Sequence, residues 1–402
     1  MPCRFLQIHT LTNYPASLLN RDDAGFAKRM PFGGGVRTRI SSQCLKRHWR
    51  VYDGENSLRS IDAPESIRSR EPLEWFVVKP LAKEDIDEDV ARLAANKIIG
   101  HLFGSDARQE KAEKKGGKKK EAPETSSAGQ KAKTEQVTVL GMPELNYLCQ
   151  LAREAINEAG DKQAKGYREE IEKAIDRRMS DKHLKKNLQA LLPGSLEAGL
   201  GAALFGRMVT GDILSRTDAA IHVAHAVTVH SQMAESDYFT AIDDLIREEG
   251  EQGSAHINAS ELTSGLFYGY VVVDVNGLVS NLGDNRELAG EVVERLVHIV
   301  STVSPGAKKG STAPYAYSHL VLVESGNAQP RTLQNAFIEP VRTTGNLVQS
   351  TYAAMHQHLA DLDAMYGKGE RRAHAGLRTD DLFEGKQNVA DLAAWAKTQV
   401  LG

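Results

Sequence analysis

The sequence predicts an α+β fold in which a charged helical segment interrupts a sheet-forming chain. Residues 4–11 (RFLQIHTL) have the apolar composition of a buried strand, and Ser41 and Ser42 can cap a helix that ends near Tyr52. A second strand, helix and strand follow, at residues 266–275, 287–303 and 319–324. Because this order repeats the strand and helix of the N-terminus, the pattern favours a split βαβ, or ferredoxin-like, arrangement.

The connecting segments are predicted from their composition. Residues 12–39 are rich in Gly, Pro, Asn and Asp, which predicts a long functional loop. Residues 202–209 and 219–230 are apolar and β-prone, and Asn276-Gly277 predicts a turn after the strand at 266–275.

The segment from 53 to 195 is helical and strongly charged. Its candidate helices are 85–102, 143–159 and 167–192. Residues 107–135 contain nine bases and five acids, so we expect a solvated loop, with a basic contact to nucleic acid as the weaker alternative.

Composition limits the possible functions. The chain has 402 residues, is 41% hydrophobic and 26% charged, and its net charge of −3 means that any nucleic-acid binding must come from local clusters. Three cysteines without a CxxC motif support neither a disulfide framework nor a zinc knuckle. We expect a soluble, intracellular protein of the cytoplasm, because the N-terminus does not resemble a signal peptide and no apolar run reaches the ~18 residues of a membrane span.

The stretch from Lys28 to Arg50 holds seven Lys or Arg residues and no acid. On a helix that starts at Ser42, one face is polar and the other is apolar. The polar face consists of Gln43, Lys46, Arg47 and Arg50, and the apolar face of Leu45, Trp49 and Tyr52. Basic side chains beside a helix N-terminus form a good site for an anion.

Two features before this helix strengthen the hypothesis of a polyanion site. Gly33, Gly34 and Gly35 would let the backbone approach a ligand closely. Arg37 and Arg39 alternate with smaller side chains, as on an extended segment with one basic face. A chain of phosphates suits such spread-out charge, so RNA or single-stranded DNA is the preferred ligand.

Other motifs are weaker. Residues 305–312 (PGAKKGST) lack the GxxxxGK[ST] pattern of a P-loop, so Lys308 and Lys309 are interpreted as a mobile clamp on phosphates.

His222 and His230 would face one side of a strand and His225 the other, which argues against a zinc site. A small-molecule phosphate enzyme is a further, weaker alternative, because no base, nucleophile and oxyanion donor converge.

Several ordered blocks resemble the CasC family, the multi-copy backbone subunit of the type I-E CRISPR surveillance complex Cascade, in the RAMP superfamily. The blocks are residues 18–23 (LLNRDD), 32–47 (FGGGVRTRISSQCLKR), 205–208 (FGRM), 221–230 (IHVAHAVTVH), 239–245 (FTAIDDL), 253–256 (GSAH), 264–270 (SGLFYGY) and 305–309 (PGAKK).

The resemblance implies an RRM-like palm at 1–52 and 196–402, a helical fingers insertion at 53–195 and a thumb hairpin at 231–263. It implies no cofactor and no catalysis. The implied partners are the CRISPR guide RNA, target DNA, further copies of the chain and other Cascade subunits: a guide 5′-end cap, a guide-processing endoribonuclease, a large subunit and small subunits.

The resemblance also assigns residues to roles. It carries the family's phosphate-binding positions over to Arg21, Ser41, Gln43, Lys46 and Arg47, and the family's Gly-rich loop agrees with the clamp at Lys308 and Lys309. Together with Lys28 and Arg39 of the acid-free basic stretch, these residues form the predicted RNA-binding set. Met208 and Phe239 would form a wedge that kinks the RNA and flips out one base, which suits a thioether and an aromatic ring.

A metal-dependent ribonuclease is the alternative from another class. Asp22 and Asp23 stand beside the predicted RNA site and could hold Mg²⁺. Since Arg21 can satisfy a neighbouring carboxylate, we expect instead that the pair organises the loop.

Overall fold

The computed structural model describes residues 2–104, 131–160, 166–209, 211–242, 254–307, 309–379, 383 and 385–402. Within these ranges, residues 238–242 and 254–259 are described by their backbone alone. The chain divides into two compact units. The sheet unit comprises Met1–Ile61, Ile221–Asn276 and Arg286–Gly402; the helical unit comprises Asp62–Ala220 and Gly277–Asn285. Most of the lysine-rich segment 107–135 lies outside the described residues, which resume at Lys131.

Within each unit, the strands pair in antiparallel orientation. The strands are β1 (Phe5–Ser17), β2 (Arg29–Phe32), β3 (Gly35–Ile40), β4 (Ser66–Ser69), β5 (Thr138–Gly141), β6 (Ile221–Val223), β7 (Ala226–Thr228), β8 (Ala234–Ile242), β9 (Ser254–Asp274), β10 (Ser318–Gly326) and β11 (Arg371–Gly376). The large sheet has the order β11-β10-β1-β9-β7-β3-β2, with β6 and β8 also paired to β9, and β4 pairs with β5 in a separate two-stranded sheet.

The helices complete a ferredoxin-like core. They are α1 (Ser42–Val51), α2 (Lys79–Lys83), α3 (Glu88–Phe103), α4 (Met142–Glu158), α5 (Tyr167–Met179), α6 (Leu184–Gln189), α7 (Leu200–Phe205), α8 (Val275–Asn281), α9 (Arg286–Thr302), α10 (Leu347–Tyr366) and α11 (Val389–Leu401). In chain order, β1, α1, β7, β9, α9 and β10 follow the βαββαβ pattern. The predicted α+β fold is confirmed.

Helices cover both faces of the large sheet, which explains why β1 is buried along most of its length. On one face, Leu45 and Trp49 of α1 and Val300 of α9 line a cavity with Thr10 and Val271 of the sheet. The opposite face packs against α10, in a buried cluster that contains Leu11, Leu266, Tyr268, Leu320, Leu322, Tyr352, Met355 and Leu359.

The prediction of a long loop over 12–39 is wrong. β1 continues to Ser17, and two further strands, β2 and β3, form a hairpin before α1. Pro15, which has no N–H to donate, falls at the irregularity in the β1–β9 ladder between Tyr14 and Ser17. Pairing with β9 therefore overrides the turn-like composition of the segment.

Three shorter predictions also differ from the structure. Residues 275–281 form helix α8 instead of a turn at 276–277, because Val275 and Leu278 are buried. The apolar run at 202–209 begins in helix α7, and the single helix predicted over 167–192 is divided into α5 and α6. At 275–281, burial of apolar side chains selects a helix over a turn, and at 202–209 the short apolar run is ambiguous between helix and strand.

The helical unit has its own apolar core and a buried ion pair. Its core draws on α2–α6, with Leu81, Ala94, Ile98, Leu148, Ala152, Ile171 and Ile175 among the buried members. Arg207 donates to Glu144 across 2.6 Å, and Glu144 also accepts the Gly141 N–H at the start of α4. A buried guanidinium with a matched carboxylate fixes the chain at residue 207, next to Met208.

Among the residues that the structure describes, no helix is both long enough and apolar enough to cross a membrane.

Candidate nucleic-acid interface

Helix α1 separates apolar from basic side chains as predicted. Leu45 and Trp49 are buried, whereas Gln43 and Arg47 are exposed and Lys46 is half-buried. The first turn contains no acidic residue. A phosphate near this end of the helix would therefore meet backbone N–H groups and basic side chains without repulsion from a first-turn carboxylate.

Ser41 caps α1, and Asn20 holds Ser41 in place. The Ser41 hydroxyl accepts the Cys44 N–H at 3.3 Å, while the Ser41 N–H donates to Oδ1 of Asn20 at 2.9 Å. Ser41 is itself buried. Ser41 therefore has a structural role. It could bind an anion only by donating its hydroxyl proton, which the helix cap does not use.

Gly33 is required by the fold itself, independently of the ligand site predicted for the glycine triplet. Gly33 has a φ of +56°, and a Cβ there would lie 1.8 Å from the carbonyl oxygen of Ile338. The Gly34 N–H donates to the same carbonyl at 3.2 Å. This close approach of two backbone segments of one chain requires glycine at position 33. The approach of a ligand to the glycine triplet stays a prediction.

The two arginines of β3 have different environments, which contradicts the prediction of one basic face. Arg37 is buried and donates to the carbonyl oxygens of Thr228 at 3.1 Å and Phe337 at 2.8 Å. Arg39 is half-buried, and its guanidinium donates to Nδ1 of His225 at 3.1 Å. Arg37 therefore stabilises the fold, and Arg39 alone remains available to the surface.

Two titratable groups on α1 reveal the charge around it. Burial raises the pKa of the Cys44 thiol, and the positive charges of Arg47 and Lys28 act to lower it. Burial lowers the pKa of His48, and Lys309 and Arg47 lower it further. The charges that shift these two groups are all basic, so both groups lie in positive potential.

His225 extends the same potential to β3. Burial lowers the pKa of His225, and the charges of Arg39 and Lys28 lower it further. The charge of Lys28 thus acts both on Cys44 of α1 and on His225, the partner of Arg39 in β3. We call Lys28, Arg39, Arg47 and Lys309 the basic cluster.

The loop that carries Lys309 is tied to the end of β1. The Ala307 N–H donates to the carbonyl of Leu18 at 2.8 Å, two residues before the Asn20 that holds α1. At the base of the loop, the buried Ser304 hydroxyl both donates to the carbonyl and accepts the N–H of Ala316. Residues 18–20 therefore position the loop and the helix together.

The basic cluster, as defined, does not include four further residues that were predicted to bind or kink RNA. Arg21 is exposed and forms an isolated backbone bridge with Ala27. Lys308 lies outside the described residues. Met208, in the helical unit, is 91% exposed. Phe239 lies in β8, opposite Asn258 of β9, but its side chain is outside the described part of the chain.

Asp22 organises the loop after β1, as expected. Its Oδ1 accepts the N–H groups of Ala24 at 3.0 Å and Phe26 at 2.9 Å. Asp23 is exposed. Over the described residues, no group of three His, Cys, Asp or Glu side chains is placed to hold a metal ion.

Two residues that shape the site, Asn20 and Glu261, were not predicted from the sequence. Asn20 lies in the 18–23 block, but only the structure shows that its amide holds Ser41. Glu261, near the base of the β8–β9 hairpin, pairs with Arg29 and accepts the Ala27 N–H at 2.6 Å. The sequence offers no local signal for Glu261, because its partners are more than 230 residues away.

Comparison with known proteins shows the family. The model of the family described as CT1975-like protein matches residues 6–398. The chain belongs to the CT1975-like protein family. Among curated proteins, nothing matches the chain.

Solved structures support the fold of this CT1975-like protein. One similar chain comes from a structure named "CRISPR RNA-guided surveillance complex, pre-nicking", with 26% identity, a TM-score of 0.73 and coverage of 98% of this chain and 100% of that chain. A second, from a "CRISPR RNA-guided surveillance complex", has 19% identity, a TM-score of 0.63 and coverage of 97% and 99%, and shows similarity of fold alone. The RRM-like α+β architecture is shared over essentially the whole chain.

Proposed function

We propose that this CT1975-like protein is a guide-RNA-binding backbone subunit of a CRISPR surveillance complex. The observation that carries the proposal is the basic cluster beside the acid-free N-terminus of α1. Family membership and the similarity, over its full length, to a chain of an RNA-guided surveillance complex support the same function.

The site suits a ligand that is recognised by its backbone. Four cations on four separate segments of the chain can neutralise several successive phosphates, whereas one nucleotide would engage only part of the cluster. Contacts of this kind position a strand without reading its sequence. The bases then remain free to pair, so that the RNA and not the protein determines the target.

The finer assignment follows the CasC resemblance. In this proposal the complex is of type I-E, copies of the chain stack along the guide, and the partners are target DNA and the other Cascade subunits. The β8–β9 hairpin serves as the thumb, and Met208 and Phe239 wedge the RNA where a base is flipped out. The exposure of Met208 supports its part, because a side chain that stacks on a base must be reachable.

The proposed subunit is not an enzyme. Asp22 uses a carboxylate oxygen to organise its own loop, which favours a structural role over metal binding. The test is incubation of the protein with guide and labelled target RNA, with and without Mg²⁺. Cleavage that depends on Mg²⁺ and disappears in Asp22→Ala or Asp23→Ala would replace the scaffold with a nuclease.

The experiment that tests RNA binding compares two double variants of equal charge loss. We expect Lys46→Ala with Arg47→Ala to weaken binding of single-stranded RNA of any sequence and to reduce the salt slope by about 1.4, since each lost phosphate contact contributes about 0.7. The matched control is Lys182→Ala with Lys185→Ala, two exposed lysines of the helical unit. An equal effect in both variants, or in neither, would contradict a specific role for α1.

A further inference from the structure

We propose that Tyr315, together with Lys309, forms a nucleobase-stacking step beside the basic cluster. The inference rests on the proposed function and names how one nucleotide of the single strand is held there. Its ligand is the face of a base of any identity, since every base presents a π-face.

Two exposed tyrosines stand at the end of the Lys309 loop. Tyr315 is 69% exposed and Tyr317 is 75% exposed. Large aromatic side chains are usually well buried, and their ring faces attract bases and cations. A pair of exposed rings at one end of a basic loop is therefore suited to a ligand that has both planar faces and negative charge.

The loop holds Tyr315 in a defined position. Ala316, between the two tyrosines, makes two hydrogen bonds to the buried Ser304 hydroxyl, at 2.9 and 3.0 Å. Gly306 packs closely on Pro314, where a Cβ would lie 2.8 Å from the ring carbon Cγ. Because the residues on both sides of Tyr315 are fixed, ordering this side chain on binding costs little backbone entropy.

Lys309 links the ring to the phosphate site. Its Nζ lies 5.5 Å from the centroid of the Tyr315 ring, within the range of a cation–π contact. The same ammonium group acts electrostatically on His48 of α1. One cation thus lies near the aromatic ring and adds positive potential at His48 of the helix, so that a phosphate and its adjoining base could be engaged together.

Charge complementarity favours a nucleic acid over a protein segment as the occupant. Lys28, Arg47 and Lys309 act on groups of α1 and Arg39 acts on His225, and an apolar peptide would supply no negative charge to balance these cations. A single-stranded RNA supplies a phosphate for the cations and a base for the ring.

The test compares two probes at low salt: a single-stranded RNA and an abasic ribose-phosphate oligomer of the same length. We expect Tyr315→Ala to weaken binding of the RNA by about five- to a hundredfold and to leave binding of the abasic oligomer unchanged. Tyr315→Phe, which keeps the ring, should bind RNA within about twofold of the wild type. The control is Tyr366→Ala, a 72% exposed tyrosine at the end of α10, which should change neither.

The outcomes separate this inference from the proposed function. If the wild type binds RNA and Tyr315→Ala binds it equally well, the stacking step is refuted while the backbone function stands. Equal weakening of both probes would show that Tyr315 shapes the loop, and would also refute stacking. A wild type that binds neither probe would refute the proposed function itself. Thermal unfolding of each variant checks that the exposed ring can be removed without loss of the fold.

Discussion

The amide oxygen of Asn20 accepts a hydrogen bond from the backbone N–H of Ser41 at 2.9 Å, and so joins the end of β1 to the first turn of α1. The carbonyl of Asn20 also accepts the Lys28 N–H at 3.0 Å. One residue therefore fixes the helix N-terminus relative to a member of the basic cluster.

Substitution of Asn20 should separate geometry from charge. Asn20→Ala removes the bond to Ser41, so we expect the free energy of unfolding to fall by about 1 kcal/mol and RNA binding to weaken. Asn20→Asp can still accept that bond but places a carboxylate beside the site, so it should fold well and bind RNA poorly. Urea unfolding and RNA titration measure both effects; an Asp variant that binds like the wild type would contradict phosphate binding here.

Substitution of Arg37 should affect the stability of the fold, whereas substitution of Arg39 should affect RNA binding. Because Arg37 is buried with its guanidinium on backbone carbonyls, Arg37→Met should lower the free energy of unfolding by about 3 kcal/mol and leave the salt slope of RNA binding unchanged. Arg39→Met should leave stability nearly unchanged and reduce the slope by about 0.7. The reverse pattern would show that the roles are exchanged.

Gly33 and Gly25 offer a matched pair for the close approach at Ile338. Both have positive φ, at +56° and +92°, but a Cβ at Gly25 meets nothing within 4 Å. Gly33→Ala should therefore destabilise the protein by about 1–3 kcal/mol more than Gly25→Ala, as the steric part of the cost. Equal losses of unfolding free energy would mean that Ile338 moves away easily.

Acid should weaken the fold through His230, at the start of the β8–β9 hairpin. Nε2 of His230 accepts the Leu266 N–H at 3.1 Å, a bond that a protonated ring cannot accept. Burial lowers the pKa of His230, so at pH values between this lowered pKa and the ordinary histidine pKa the unfolded chain binds more protons than the folded chain. The stabilisation that neutral His230 contributes is therefore present at neutral pH, and it is lost as the pH falls from the ordinary histidine pKa through the lowered pKa of the folded state.

Unfolding in urea at pH 7.5 and pH 5.5 checks this prediction. The decrease between the two pH values should be smaller in His230→Gln than in the wild type, whereas His222→Gln, at an exposed position, should show the wild-type decrease. An unchanged decrease in His230→Gln would rule out a contribution from this histidine.

Local patterns predicted much of the fold and of the helix at the site. The α1 helix was predictable because its serine cap and its two faces lie within eleven residues of each other. The strands at β9 and β10 and the helix α9 were found from apolar periodicity, which depends only on near neighbours.

The features of the fold and of the site that were not predicted depend on contacts between residues distant in the sequence. Nothing near Arg37 in the sequence distinguishes it from Arg39, and the distant backbone carbonyls of residues 228, 337 and 338 make Arg37 a buried structural group. In the same way, Gly33 meets Ile338 and Asn20 meets Ser41 through tertiary packing. A single sequence shows the charge of a segment but not which of its charges the fold itself uses.

The most direct measurement is a structure of the RNA-bound particle, read at the N-terminus of α1. We predict phosphate oxygens about 3 Å from the first-turn N–H groups and from the Arg47 guanidinium, with the neighbouring bases turned toward the target strand. An RNA path that leaves residues 41–47 in contact with protein or solvent alone would contradict this prediction.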